Sequence, residues 1–369
     1  MPDAARRSAY AAMVTFGSCS EMAADYLRDN LHDSREQVVQ RGLHAAVVDD
    51  VNVALVPRAL SHVVITAPRT AEEPPRIQAI AASFRRGPDY RPERGQQAVL
   101  FTASAMSRLK VAVGWDEVPS LEAVAMAERV ENAIVRREGL GRSDGREPLA
   151  EISVQGYLAA YEALTGFSSR GGEPGRSVDD MLSAGGRGSP HPRELSFERL
   201  IDRQRSKLYD FRARVRDEAD AFRLVRPIAS DAVREWLASG AGTLIDGLRD
   251  TLAGRGREQI DDALSGATAH DELADRATRL IEKAVEERAN ALGTPEMAAL
   301  LRKVFLTLVD VRWREHLLRV SFLQRQAAAL YDPAAEAAGA READVAELFA
   351  ACEQAIRVES IKYALNARP

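Results

Sequence analysis

The sequence predicts an α/β region followed by an all-α region, and three observations carry that division. Short apolar runs rich in Val, Ile and Ala recur at 13–16, 43–49, 63–65 and 97–102, each bounded by turn residues. Residues 171–192 are dense in Gly, Pro and Ser, a composition that cannot pack a core and reads as a linker. From residue 193 onward, apolar side chains recur at helical spacing nearly to the end.

Composition bounds the function. The chain has 369 residues, 46% hydrophobic and 28% charged, which suits a folded globular protein of two or three domains. A net charge of -5 argues against a generic polyanion binder, and no nucleic-acid partner is expected. Lysine occurs only at Lys110, Lys207, Lys283, Lys303 and Lys362, so the basic residues are nearly all arginine. Cys19 and Cys352 form no metal-like spacing, and a reducing compartment is the default. No apolar run approaches the ~20 residues that span a bilayer, and no signal organisation opens the chain. The expected location is cytoplasmic, with peripheral contact at the inner face of the plasma membrane as the closest approach to lipid.

Residues 8–12 read as helix, 13–16 as a short strand, and 20–31 as a helix capped by Ser20. A buried strand follows at 43–49, ending in acids, and another at 63–65. Acids at the C-terminal end of a parallel strand sit where α/β sheets bind ligands. Residues 104–113 and 131–139 read as helices, 141–148 as a turn-rich loop, and 154–165 as a helix. On that helix Tyr157 and Tyr161, at i and i+4, are read as packing partners.

Beyond the linker, Phe197, Leu200, Ile201, Leu208, Phe211, Val215 and Phe222 mark a long amphipathic helix. Residues 227–266 form a helical wing with Trp236 and Leu237 in its core, and a helix runs from 270 to 292. The chain then makes a helical hairpin over 294–363. Thr294 reads as its cap, with Pro295 and Glu296 in the first turn. The first arm, 295–330, would be roughly 54 Å long at ~1.5 Å per residue. Val345, Leu348, Phe349, Cys352, Ile356 and Tyr363 mark the return arm. Trp313 reads as a core anchor, and His316 as a structural histidine rather than a ligand.

Three runs of residues resemble one family in its own order. The first is Arg6-Arg7-Ser8-Ala9-Tyr10, Phe16-Gly17-Ser18 and Asp25-Tyr26-Leu27-Arg28-Asp29-Asn30. The second is Glu151 to Tyr157 with Tyr161 to Gly166. The third is Val309-Asp310, Trp313-Arg314-Glu315-His316-Leu317, Phe322-Leu323 and Asp332-Pro333. Together they are similar to SecA, the ATPase motor of preprotein translocation. The resemblance implies a partial P-loop, helicase-like first nucleotide-binding lobe at 1–67 and 129–170. It further implies a reduced preprotein cross-linking-like insert at 68–128 and a helical scaffold and wing at 193–293. A two-helix finger with the C-terminal helix would occupy 294–369. Residues 171–192 stand where the family has its second nucleotide-binding domain.

The resemblance places Asp49 at the Mg-ATP side of the Walker B strand, as metal carboxylate, and Asp50 in place of the catalytic Glu. Asp49-Asp50-Val51-Asn52 stands where the family has Asp-Glu-Val-Asp. Asp50 is one methylene short, which sets its oxygens back on the order of 1.5 Å from the attacking water. No Gly-x-x-x-x-Gly-Lys-Ser/Thr occurs in the sequence. The match starts past the family's phosphate loop, as an internal start or a gene cut at its front would produce. Gly166-Phe167-Ser168-Ser169-Arg170 keeps only the first glycine of the family's coupling motif.

By the same resemblance, Tyr331 is the finger-tip tyrosine that meets substrate. The partners implied are preprotein polypeptides and the Sec translocation channel or a full-length SecA-like motor, with ATP and Mg as family cofactors. The expected function is binding within preprotein export without autonomous ATP hydrolysis. The alternatives are an ATPase completed in trans by another chain, and the product of a decayed gene.

Overall fold

A computed structural model describes residues 3–49, 58–68, 73–93, 98–115, 120–140, 146–166, 192–252, 257–267, 269–334 and 339–367. Asp50, Asn52 and the linker residues 171–191 lie outside these. In chain order, the first elements are α1 (Asp3–Tyr10), α2 (Cys19–Asp29), β1 (Ala45–Val48), β2 (His62–Pro68) and α3 (Pro75–Ala82). Next come β3 (Tyr90–Pro92), β4 (Val99–Phe101), α4 (Ala103–Val113), α5 (Leu121–Arg137), β5 (Arg146–Ser153), α6 (Val154–Ala159) and β6 (Ala163–Gly166). The remainder is helical: α7 (Pro192–Asp217), α8 (Val225–Ala238), α9 (Ala241–Thr251), α10 (Arg257–Leu264) and α11 (His270–Leu292). It ends with α12 (Thr294–Arg325), α13 (Ala327–Leu330) and α14 (Ala340–Asn366). Two compact units form: Met1–Pro75, Pro92–Ala98 and Ile134–Asp210 make the first, and Arg76–Arg91, Val99–Ala133 and Phe211–Pro369 the second.

The first unit is built on two small sheets. β2 and β5 pair antiparallel, His62 opposite Ser153 and Val64 opposite Glu151, with an irregularity between Ile65 and Thr66. β1 and β6 pair parallel, Val48 opposite Gly166. The strand expected at 63–65 is therefore longer, and its partner β5 occupies ground assigned to the 141–148 loop. The helix expected over 154–165 stops at Ala159. There β1 captures the chain: Glu162 N donates to Leu43 O and Ala163 N to His44 O, at 3.0 and 2.9 Å.

Three further expectations give way in this unit. Residues 13–16 form no strand, and one backbone group there, Met13 O, is taken by a side chain. Thr15 Oγ1 donates to Ala9 O at 3.0 Å and Arg41 Nη2 to Met13 O at 2.9 Å, leaving Met13 89% and Phe16 92% exposed. The cap of α2 is Ser18, not Ser20. Its hydroxyl accepts from Glu21 N at 3.2 Å and donates to the Glu21 carboxylate at 2.8 Å, a reciprocal Ser-x-x-Glu closure. Finally, β1 is not buried: Val47 is 64% exposed, since only β6 flanks it among the described residues.

Helices alone make the main core of the second unit. Val225, Ile228, Ala232 and Trp236 of α8 close on Leu280, Ile281 and Val285 of α11. Met297, Leu301 and Phe305 of α12 and Ile361 of α14 join the same cluster. Trp236 and Leu237 are buried, as their pattern predicts. Pro227 lies in the first turn of α8, where a missing N–H costs no helical bond. α11 has the bounds its sequence predicts, His270–Leu292. One glycine then serves both neighbours. Gly293 donates to Ala289 O to end α11 and sits at φ +104 as the N-cap of α12, so Thr294 is already helical rather than the cap. A Cβ on Gly293 would stand 2.2 Å from a Glu296 carboxylate oxygen.

The first arm of the hairpin is one turn and a half shorter than its apolar period suggests. α12 ends at Arg325, and Gln326 breaks the run at φ -91, ψ 8 before α13. The cause is a side chain acting as a strand. Gln326 Oε1 accepts from Phe101 N at 3.0 Å and its Nε2 donates to Val99 O at 2.7 Å, completing the edge of β4. Nothing in helical periodicity reports such a contact.

Candidate functional site

Three groups of residues carry the chemistry that the sequence suggests. The first is the strand end. Asp49 follows β1 directly and is exposed, and the partner of the preceding Val48 is Gly166 at the end of parallel β6. Both strands thus present their C-terminal ends together, the position at which α/β sheets receive ligands. Asp50 lies outside the described residues. No group of three or more His, Cys, Asp or Glu that could hold a metal ion exists among the described residues. Asp49 alone builds no protein cage for a metal ion.

The second group is Asp25-Tyr26-Leu27-Arg28-Asp29-Asn30, and its geometry is that of a scaffold. Asp25 is buried and accepts from Arg6 at 2.9 Å, Arg28 at 2.6 Å and Tyr10 Oη at 3.0 Å, tying α1 to α2. Asp29 accepts from Val39 N at 2.9 Å and Gln40 N at 2.8 Å, which holds the following loop back against the helix. Asn30 Nδ2 donates to Tyr26 O, and Leu27 is fully buried. Tyr26 lies among Tyr157 and Tyr209 with ring centroids at 5.8 and 6.0 Å. Burial pushes its hydroxyl up to about 12. Tyr157 and Tyr161 pack edge to face at 5.5 Å with their hydroxyls 2.7 Å apart. A cavity of about 410 Å³ borders Arg6, Tyr10, Phe16, Met22, Asp25 and Arg28.

The third group is the antiparallel pair of α12 and α14. Trp313 is buried against Phe349 at 6.4 Å and His316 at 5.5 Å. His316 is fully buried. Burial, reinforced by the nearby Arg319 charge, pushes its imidazole down to about 3, so it is neutral at pH 7. Glu315 accepts from Arg312 at 2.5 Å and Arg319 at 3.4 Å, on the half-buried side that it shares with Arg314. Tyr331 lies at the turn and donates to Asp344 at 2.6 Å.

Several residues that the sequence reading passes over fix this pair. Arg312 Nε and Nη2 reach Glu359 at 2.9 and 2.6 Å, joining the two helices. Buried Arg212 of α7 grips Asp310 with both Nε and Nη2, at 2.7 and 2.9 Å. Arg325 grips buried Glu131 of α5 at 3.2 and 2.7 Å. Each is bidentate and so orients as well as attracts. A charge on an apolar-period helix is the one local signal for them, and it does not name the partner.

An α/β unit of small sheets followed in the chain by a unit of packed helices defines the class of protein. Residues 1–174 match the SecA DEAD-like domain, and residues 193–368 match the SecA Wing and Scaffold domain. The protein translocase subunit SecA of Frankia casuarinae is 32% identical over 215 residues, 46% of this chain and 21% of that protein. SecA 1 of Thermobifida fusca is 34% identical over 188 residues, covering 50% and 19%. SecA of Rubrobacter xylanophilus is 27% identical over 208 residues, covering 44% and 23%. With both domain matches in the family's order, the chain belongs to the SecA family. The matched part of these curated relatives is about a fifth to a quarter of their length.

Proposed function

We propose that this chain serves preprotein export by binding preprotein, the Sec channel or a full-length SecA motor, without hydrolysing ATP on its own. The observation that carries the reading is the juxtaposition of the two family matches, with residues 175–192 alone between them. The chain keeps the mechanical part, a continuous helical core and the α12–α14 pair, which we assign as the two-helix finger with Tyr331 at its turn. On the nucleotide side it keeps Asp49 at a strand end, with Asp50 in place of the general base and no phosphate-loop pattern in the sequence. A P-loop supplies a nest of backbone N–H groups and a lysine for the β/γ-phosphates, which two carboxylates do not replace. If ATP and Mg bind, Asp49 holds the metal side.

The retained Asp49 beside Gly166 favours one second reading, an ATPase completed in trans. Contact with membrane would be peripheral, at the inner face of the plasma membrane. No helix among the described residues is long and apolar enough to cross a membrane.

Titration calorimetry with Mg-ATP separates these readings. The isolated chain is expected to show no binding at micromolar nucleotide. Micromolar affinity of the chain alone would overturn the non-hydrolysing reading. Nucleotide bound by the mixture with a purified full-length SecA, beyond what that motor binds alone, favours completion in trans. Failure to associate with that motor, with reconstituted channel and with an unfolded preprotein would remove the export role altogether.

A further inference from the structure

A cluster of ionisable side chains lies in the first unit, away from the strand-end acids and the hairpin. α7 presents Glu198, Asp202 and Arg205 at i, i+4 and i+7, one face of the helix. Glu198 and Arg205 are buried, and Arg205 Nη1 forms an ion pair with Asp202 Oδ1. Asp202 is set against the first turn of α6, where Gly156 has no side chain. A Cβ there would stand 2.2 Å from Asp202 Oδ1, so this approach requires glycine. Facing α7 from the sheet is His62, the first residue of β2, with Nε2 3.5 Å from Glu198 Oε2. Its side chain is 35% exposed, so it touches a buried carboxylate on one side and water on the other. β5 adds Glu151, on the same face as Ser153, the cross-strand partner of His62. α2 adds the Tyr26 hydroxyl, which is neutral at pH 7, near Asp202 and Arg205. The remaining charges of this stretch, Arg199, Arg203 and Lys207, are exposed.

The charges do not balance without a proton. Among the described residues, Glu198 and Asp202 share one guanidinium, Arg205, so a protonated His62 supplies the second cation. We propose that the root of α7 is fastened to the α/β unit by a proton-dependent latch in which His62 bridges β2 to Glu198. Burial works against the charged imidazole, yet the charge of Glu198 3.5 Å away, with that of Glu151 beyond, outweighs it and raises the His62 pKa from its ordinary 6.5. Burial likewise raises the Asp202 carboxyl, against the pull of Arg205. Both groups therefore favour the proton-loaded folded state. The histidine's share of the fastening is complete below pH 6.5 and is lost as pH rises through its folded pKa. Neither nucleotide nor preprotein enters this reasoning, so the latch stands or falls apart from the export reading.

The full chain tests it. NMR titration, with His62→Gln to assign the resonance, is expected to give His62 a pKa above 6.5, and Glu198→Gln to lower it. Above that pKa, amide exchange over residues 198–208, corrected for intrinsic rate, should quicken by up to about tenfold per pH unit. In His62→Gln, which keeps a hydrogen-bond donor but cannot titrate, the same amides should show no such acceleration. A His62 pKa at or below 6.5, or equal pH dependence in both proteins, would overturn the proposal. Should His62→Gln fail to fold, the wild-type pKa and its response to Glu198→Gln still decide the matter.

Discussion

The two units place similar side chains in opposite settings. In the helical unit, Trp313, Phe305, Leu301 and Ile361 are all buried, and α8, α9, α11, α12 and α14 share one apolar cluster. In the α/β unit, the apolar residues Val47 and Val64 of the strands and Met13 and Phe16 of the preceding loop face water. A parallel strand of four apolar residues, Ala45 to Val48, ordinarily lies covered on both faces. Helices satisfy their own backbone and need a partner only for one stripe, whereas a strand needs neighbours on its edges and faces. A helical unit can therefore be complete within a short chain more readily than a sheet can. Stability should be concentrated accordingly.

Trp313→Ala should produce the largest effect. Removing a buried indole costs about 3–5 kcal/mol through lost transfer energy and the cavity left behind. It should strip the packing from Phe349 and His316, and urea denaturation followed by far-UV dichroism should report the loss. A cost below about 1 kcal/mol would mean that the α12–α14 pair is not a packed hairpin in solution.

Gln326→Ala comes next. It leaves Phe101 N and Val99 O without their side-chain partner in a buried setting, at about 1–3 kcal/mol. Exchange of the Phe101 amide should quicken in step. An unchanged Phe101 amide would show that Gln326 does not cause the break between α12 and α13.

What the residues could tell in advance follows the same physical line. α11 and the long arms α12 and α14 were legible because helical bonding is local and a 3.6-residue apolar period survives tertiary context. Trp236, Leu237 and Trp313 were legible as core for that reason. The β5 strand was not, since its pairing with β2 joins residues far apart in sequence and no local pattern states it. The turn at Ala159, where β1 takes over the chain, was hidden in the same way. In the candidate site, the position of Asp49 at a strand end was readable from Val47-Val48-Asp49. The partners of Asp25 and Asp29, structural by family signature, were not, because their donors, Arg6, Val39 and Gln40, are brought in by folding.

His316 sets a pH test whose sign is opposite to that of His62. Its folded pKa of about 3 lies below the ordinary 6.5, so unfolding takes up a proton between those values. Stability should be full above pH 6.5 and fall by up to about 1.4 kcal/mol per pH unit below it. Other carboxylates titrate in the lower part of this range, so the measure is the difference between wild type and His316→Gln from pH 6.5 to 5. Equal slopes in the two proteins would show that His316 is solvated, and with it the interior of the hairpin.

The smallest effect, at Val47, bears hardest on the comparison. With its side chain 64% exposed, Val47→Thr preserves β-branching and changes only what faces outward. Its cost should stay within about 0.5 kcal/mol in urea denaturation of the isolated chain. A loss of 2 kcal/mol or more would mean that this face of β1 is covered in solution, and that the contrast between a covered helical unit and an open sheet is wrong. A near-zero cost for the chain alone, with a measurable loss once a full-length SecA is added, would locate on β1 the surface that the motor covers. The same substitution thus tests both the openness of the sheet and the place where a partner would close it.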